Sequence, residues 1–518
     1  MKVFNTTGTC FPDDHYMVDI SKQVNYAEQM VRSNYYFCIN QGRQYGKTTT
    51  LYALKNQLDS KGFTVFSLSF EQLNESDFST TDKLYLSFIN LINNTIKYRQ
   101  VKNCDEKIKS ITSKYSEYQE IKSKDFSDFI FELCNYNNKI VIIIDEVDQA
   151  SNYESFIKFL GFLRDLYLNR KVNPTFQSVI LAGVYDIKNL KLKIRPESEH
   201  QYNSPWNIAK PYSTQMGLPE DGIAKMLAEF KADYQLDFDE NKVAKAIYDW
   251  TNGYPFLVSR ICEFIQQNNF EWNEEGVSES VKEIINEPNN TLLDDLTKKL
   301  DDFPQLKDIF KEILFNGSRI AFNIREKYIH LAYMFGFVEN KNGAVKIANR
   351  VFENTIYDLF ISEESNNRIF TNGSTDKKQI TKNDNLDLKL ILERFAYHYN
   401  KIFNSNDEQF IETQARKLFL LYLRPIINGT GFYHIEAQTR DNTRTDIVID
   451  YKHQQYVIEL KIWHGEEYNR KGEVQLSEYL DYFDLKEGYM LSFCFNKSKQ
   501  VGLQKQQFGE KVLWEVIV

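Results

Sequence analysis

What this chain of 518 residues lacks narrows its class before any motif is considered. Its six cysteines (Cys10, Cys38, Cys104, Cys134, Cys262 and Cys494) are scattered, with no C-x-x-C pair. That excludes a disulfide-stapled secreted scaffold and leaves buried thiols of a reducing cytosol as the expectation. The seven histidines form no H-E-x-x-H and no Cys/His cluster, so an ordinary structural zinc is excluded. No stretch approaches the ~18 apolar residues that a membrane span requires. The N-terminal "MKVFNTTGTCFPDDHYMVD" has no charged start followed by an apolar run, as a secretory leader would. A soluble, cytoplasmic protein with no membrane partner is expected. Positive charge is also short: 63 Lys and Arg face 72 Asp and Glu, a net −9, so any DNA or RNA contact has to be a local groove.

What is present is enough chain for about three or four domains of roughly 100–200 residues each. Residues 1–215 alternate helical patterns with short apolar runs: "YYFCIN" (35–40), "FTVFSLSF" (63–70), "KIVIIIDEV" (139–147) and "SVILAGV" (178–184). Such runs between helices predict an α/β fold with a mainly parallel sheet. "PEDGIAKMLAEF" (219–230) opens a helical subdomain over 216–292, with Pro219 suited to a first helical turn. Within 293–361, "SRIAFNIREKYIHLAYMFGFVENKNGAVKIANRVFENTIYDLF" reads as helix, small hairpin around "KNG", and helix, the pattern of a winged helix. Residues 362–385 are polar and without apolar periodicity, and are expected to be a linker. From 386 to 518 a helix-rich start leads to strands at "FYHIEAQT", "TDIVIDY", "QYVIELKIW" and "GYMLSFCFN", predicting a second, small α/β domain.

The first chemical motif is "NQGRQYGKTTTL" (40–51). A phosphate loop of the form G-x-x-x-x-G-K-[ST] would place its first glycine at Gln41; the nearest glycine is Gly42. The second half is intact. Gly46 permits close approach of backbone to phosphate, Lys47 can reach the β- and γ-phosphates, and Thr48 can ligand Mg²⁺. The loop follows one predicted strand and precedes a predicted helix, which is the context the motif requires. Gly42, Arg43, Gln44, Tyr45, Gly46, Lys47, Thr48 and Thr49 are therefore the expected ATP-binding residues. "KIVIIIDEVDQA" supplies the other half: Asp145 to hold Mg²⁺ and Glu146 to polarise attacking water.

Together "FNTTGTCFPDDHYMVD", "GRQYGKTTTLYAL", "IIIDEVD" and "GYPFLVSRICEF" resemble the bacterial AAA-like ATPase family, P-loop relatives of the initiator and signal-transducing (STAND) ATPases. In that family the loop commonly reads R-x-R-x-G-K-[ST], so the resemblance accounts for the missing first glycine. It covers roughly residues 1–360, winged helix included. It also implies an adenine pocket at "MVD" (17–19) and a nucleotide-side helix opened by "GYPFLV" (253–258). Asp186 and Arg195 are candidates for sensing the γ-phosphate.

The second motif is "TDIVIDYKHQQYVIELKIW" (445–463). Glu459 and Lys461 lie two apart on one strand and so share a face, and a hairpin through "KHQQ" brings Asp446 alongside. Two carboxylates able to hold Mg²⁺ or Mn²⁺ beside a lysine can activate water and stabilise a pentavalent phosphate. The D-x12-E-x-K spacing resembles the PD-(D/E)xK nuclease superfamily, whose Q-x-x-x-Y helix is matched by Gln475 and Tyr479. An upstream helical acid is expected at Glu412. The stretch 386–518 carries 17 Lys and Arg against 19 Asp and Glu, so it has no broad phosphate-binding face. Two functions fit: an ATPase that regulates a C-terminal nuclease acting on DNA or RNA, or a nucleotide-dependent switch whose nuclease-like domain binds nucleic acid or a regulatory protein partner without cutting. The winged helix has few cations, and is a candidate for DNA contact, for protein contact or for a latch on the nucleotide core.

Overall fold

The computed structural model describes residues 2–98, 101–184, 206–314, 318–363, 368–380, 386–402, 412–427, 431–437, 445–451, 454–462, 476–477, 480–481, 485–494 and 502–518. The chain divides into two compact units, one of residues 1–277 with 330–337, the other of 278–329 with 338–518.

In the first unit, five strands, β1 (Phe37–Asn40), β2 (Thr64–Ser69), β3 (Ile140–Asp145), β4 (Ser178–Gly183) and β5 (Lys210–Pro211), form a parallel sheet in the order β2-β3-β4-β1-β5. The first four are the strands expected from the apolar runs. Helices cover both faces, which is why β3 is apolar at every position before Asp145. On one face α1 (Ser21–Arg32) and α2 (Lys47–Ser60) bury Val24, Leu51 and Leu54 against Val141 and Ile143. On the other, α3 (Thr81–Tyr98), α4 (Glu106–Ser116), α5 (Ser123–Tyr136) and α6 (Glu154–Leu168) bury Phe88, Phe126 and Phe159 against Ile142 and Ile144. Three helices follow: α7 (Glu220–Tyr234), α8 (Glu240–Thr251) and α9 (Pro255–Asn268). Pro219 stands one residue earlier than its expected place, as the extended cap before α7 (φ −72°, ψ 152°). Helix α10 (Glu274–Asn286) continues across the division at residue 277.

The second unit begins with α11 (Thr291–Asp302) and α12 (Pro304–Leu314). Helix α13 (Lys327–Met334) passes from this unit into the first, and the chain returns in the hairpin β6 (Val338–Lys341) and β7 (Ala344–Ile347) and helix α14 (Arg350–Glu363). The hairpin turns at Asn342 and Gly343, both with positive φ, as an Asn-Gly turn demands. Residues 318–322 are not helical as expected. Phe322 N–H donates to Gly343 O at 2.8 Å and Val345 N–H to Ile320 O at 2.8 Å, so the hairpin recruits this segment as a pairing partner. The expected linker also contains structure: α15 (Arg368–Ile380) buries Ile369, Asp376 and Ile380. Its apolar side chains are few because its buried face is partly polar. Asp376 accepts hydrogen bonds from Tyr422 at 2.7 Å and pairs with His398 at 2.8 Å.

Helices α16 (Leu388–Ile402) and α17 (Glu412–Ile427) precede a six-stranded mixed sheet. Its strands are β8 (Gly431–Ala437), β9 (Thr445–Tyr451), β10 (Gln454–Ile462), β11 (Glu487–Phe493), β12 (Gly502–Phe508) and β13 (Lys511–Ile517), in the order β12-β13-β11-β10-β9-β8. The last two were not expected from the sequence. Strand β12, "GLQKQQF", is polar because most of its side chains are only half-buried or exposed. One face of the sheet carries the core Val448, Val457, Met490 and Leu513 under Leu476 and Leu480. On the other, Phe395 and Tyr399 of α16 meet the Phe493 ring at centroid distances of 6.2 and 5.3 Å. All six cysteines are free; Cys10 and Cys104 are half-buried and the other four buried. Among the described residues no helix is long and apolar enough to cross a membrane.

Candidate functional sites

The phosphate-binding loop joins the carboxyl end of β1, an interior strand, to α2, and a helix's first turn has amide groups with no intrahelical partner to offer an anion. Its shape needs two left-handed residues, Gln44 (φ 54°) and Gly46 (φ 79°). Gly46 faces open space where a Cβ would be, so a ligand can approach its backbone. Gly42 is different: a Cβ there would lie 2.5 Å from the carbonyl oxygen of Phe335. The displaced glycine of the motif is thus required by close packing of the loop on the 335–337 turn. Behind the loop, the Tyr254 hydroxyl donates to Arg43 O at 2.5 Å, and the Tyr45 and Tyr254 rings meet edge to face at 4.6 Å.

Lys47 is 7 % exposed and its ammonium donates to the loop's own carbonyls, Gln41 O at 3.0 Å and Gly42 O at 2.9 Å. Burial pushes its pKa below that of an ordinary lysine, opposed by the nearby Glu146, Asp145 and Asp148 carboxylates. A phosphate would replace weak carbonyl partners with full negative charge. The Thr48 hydroxyl donates to Asp145 Oδ2 at 2.9 Å, joining the start of α2 to the end of β3. These hard oxygens, one neutral and one anionic, are the donor set that suits Mg²⁺. Glu146, in the left-handed region at φ 53°, is the next residue; burial first, then the Asp145 charge, raises its pKa. A carboxyl with raised affinity for protons is a competent acceptor from water. The structure thus brings together Gly46, Lys47, Thr48, Asp145 and Glu146 as expected.

Thr49 has another partner. Its hydroxyl accepts from Cys10 N–H at 3.1 Å, tying the N-terminal segment to α2. Two contributors were missed by sequence reasoning. Asp148 accepts from Val184 N–H at 2.6 Å and so holds the end of β4 beside the loop; its position three after Asp145 was the available signal. Phe335, with no sequence signal, is the other. In the "MVD" stretch Val18 is buried, and Gly222 of α7 is small because a Cβ there would meet Val18 Cγ1 at 2.5 Å. Gly253, at φ 71°, makes the turn into α9. Asp186 and Arg195 lie outside the described residues.

In the second unit, β9 and β10 form the expected antiparallel hairpin, with Ile447 opposite Ile458. One further step of that register sets position 446 opposite 459. Glu459 and Lys461 are 0 % and 3 % exposed, on the same face of β10 as the core residue Val457. On β11, Ser492 stands opposite Lys461, and its hydroxyl donates to the buried Glu515 of β13 at 2.5 Å. Gln506 of β12 donates to the same carboxylate at 3.2 Å. Ser492, Gln506 and Glu515 extend the polar strip beyond what the motif indicated. Asp446 and Glu412 are described by backbone alone, in β9 and at the first position of α17; Gln475 and Tyr479 lie outside the described residues.

A strand-loop-helix phosphate cradle beside a strand-end Asp-Glu pair, on a parallel sheet with helices on both faces, defines a P-loop ATPase-like unit. The family model described as "AAA-like domain" matches residues 12–358, and the chain belongs to that family. Among curated proteins, an uncharacterized WD repeat-containing protein of Synechocystis sp. is 22 % identical over 265 residues, covering 47 % of this chain. The match spans 21 % of that relative's length. Among solved structures, a Walker-type ATPase of Pyrococcus abyssi is 15 % identical at a TM-score of 0.48, covering 68 % of this chain and 99 % of its own. AMPPCP-bound DnaA from Aquifex aeolicus is 14 % identical at a TM-score of 0.32, with 68 % and 92 % covered.

Proposed function

We propose that the chain binds and hydrolyses ATP in its first unit, and that the nucleotide state regulates a metal-dependent phosphodiesterase site, acting on DNA or RNA, in its C-terminal module. In this reading residues 293–361 are a winged helix and 386–518 a nuclease-like domain. The observation that supports the first half is the Thr48–Asp145 contact at 2.9 Å beside the buried Lys47. Lys47 would hold the phosphates, Thr48 and Asp145 the Mg²⁺, and Glu146 would orient and deprotonate the attacking water. The second half is supported by Glu459 and Lys461, buried together on one sheet face with position 446 on the neighbouring strand. A buried carboxylate and ammonium are costly to keep merely for stability, whereas a catalytic site needs both.

In the C-terminal site, Asp446 and Glu459 would hold one or two Mg²⁺ or Mn²⁺ ions, which supply a Lewis acid and an activated water when bound. Lys461 would add positive charge where the phosphate becomes more negative, and Gln475 would complete the constellation. Calorimetric metal titration beside cleavage rates tests these roles. Lys461→Ala should keep metal binding and lose ~10²-fold or more in rate, as when one electrostatic donor is removed. Asp446→Asn should lose metal and rate together. If both variants cut as wild type does, the assignment is wrong. If wild-type protein cuts nothing with either metal, the module serves a nucleotide-dependent switch that does not cut.

A further inference from the structure

Helix α14 is fastened to the C-terminal module by polar contacts. Asp358 of α14 pairs with Arg424 of α17, Nη2 to Oδ2 at 3.1 Å, and accepts a hydrogen bond from the Tyr433 hydroxyl of β8 at 3.1 Å. At the preceding residue, the buried Tyr357 hydroxyl donates to Leu314 O at the end of α12, at 2.6 Å, and Arg416 of α17 reaches the same carbonyl at 3.5 Å. A helix-terminal carbonyl lacks an intrahelical partner, so these donors satisfy an otherwise orphaned acceptor while joining three helices. Strand β8 in turn is paired along its length with β9, with Tyr433 opposite Ile449 and Glu436 opposite Asp446. The other end of the path lies in the first unit, where the phosphate loop closes on the 335–337 turn at Gly42. From Phe337 the chain runs directly through the β6–β7 hairpin into α14.

We propose that Asp358, through Arg424 and Tyr433, is the positioning residue that ties the edge of the C-terminal sheet to α14, so that a nucleotide-driven change at the 335–337 turn is delivered to β8 and β9, the strand of Asp446. The consequence for catalysis rests on the function proposed above; the mechanical link does not. An element can carry such coupling only if both sites bias it, and the ion pair gives α14 a rigid grip on one of them. Removing both charges together avoids leaving one buried ion unpaired.

The test is hydrogen–deuterium exchange on the full chain, with and without Mg²⁺ and a non-hydrolysable ATP analogue. Peptides of α2 report binding, and peptides covering 431–437 and 445–451 report the far end. In wild-type protein the analogue is expected to protect α2 and to change exchange in β8 and β9 by about fivefold or more, the scale of an ordinary coupling energy. The double variant Asp358→Asn, Arg424→Met keeps the α2 response and loses the β8–β9 response. Tyr433→Phe, which removes one hydroxyl, weakens the far response and decides the matter if the double variant does not fold. Wild-type β8 and β9 indifferent to the analogue, or variants that keep the full response, would overturn the link. DNA cleavage is not a readout here: a module that never cuts sinks the phosphodiesterase reading and leaves this result standing, whereas absent α2 protection sinks nucleotide binding.

Discussion

At the nucleotide site, two side chains far apart in the chain, one after β1 and one after β3, are assigned different kinds of work. In the proposed ATPase, Lys47 would meet negative charge in the ground state, while Glu146 would act on the attacking water. Lys47→Ala is therefore expected to abolish binding of a fluorescent ATP analogue, and Glu146→Gln to retain binding while turnover falls by about 10²-fold or more. Normal affinity in the Lys47 variant would remove the assignment. The two glycines make a second contrast. Gly46→Ala strains a left-handed residue at φ 79° in open space, a local cost of ~1–2 kcal/mol. Gly42→Ala drives a methyl to 2.5 Å from Phe335 O, so backbone must move, at about 1–3 kcal/mol. Exchange of the 330–337 amides should rise in the Gly42 variant and stay unchanged in the Gly46 variant; equal behaviour would contradict the packing account. Gly46, Lys47, Thr48, Asp145 and Glu146 were all legible because their chemistry fixes residue type and spacing. The reason for Gly42 was not, because its partner is a backbone carbonyl almost 300 residues away, and a carbonyl leaves no mark on residue identity.

Most elements with strong apolar patterning were legible, the apolar β13 being missed all the same, and those with polar buried faces were not. Strands β1 to β4 are apolar because both faces are covered, whereas α15 and β12 hide few apolar side chains and so gave no signal. Helix α14 also buries polarity. Glu353 is 8 % exposed, and burial pushes its pKa up to about 7, against the pull of Lys346 on β7, Arg350 on α14 and Arg416 on α17. The folded pKa lies above the ordinary 4.5, so the fold prefers the protonated acid. That stabilisation is fully present below pH ~4.5 and is lost as pH climbs through ~7, a difference of about 3 kcal/mol. Glu353→Gln removes the dependence. Its thermal midpoint relative to wild type should rise between pH 5 and pH 8, and a difference that stays constant with pH would refute the burial argument.

At the scale of the whole molecule, membership of the AAA-like family accounts for residues 12–358, and the sheet that follows carries its own buried acid-lysine strip. The central claim is that the first controls the second. Its most direct test is the rate of Mg²⁺- or Mn²⁺-dependent cleavage of plasmid and single-stranded DNA and of RNA, with and without ATP, by wild type, Lys47→Ala, Glu146→Gln and Glu459→Ala. The account predicts that ATP changes the wild-type rate, that the ATP-retaining Glu146 variant holds the ATP-bound rate, that the Lys47 variant ignores ATP, and that the Glu459 variant does not cut. Cleavage that is the same with and without ATP in the first three, or that survives in Glu459→Ala, would contradict it.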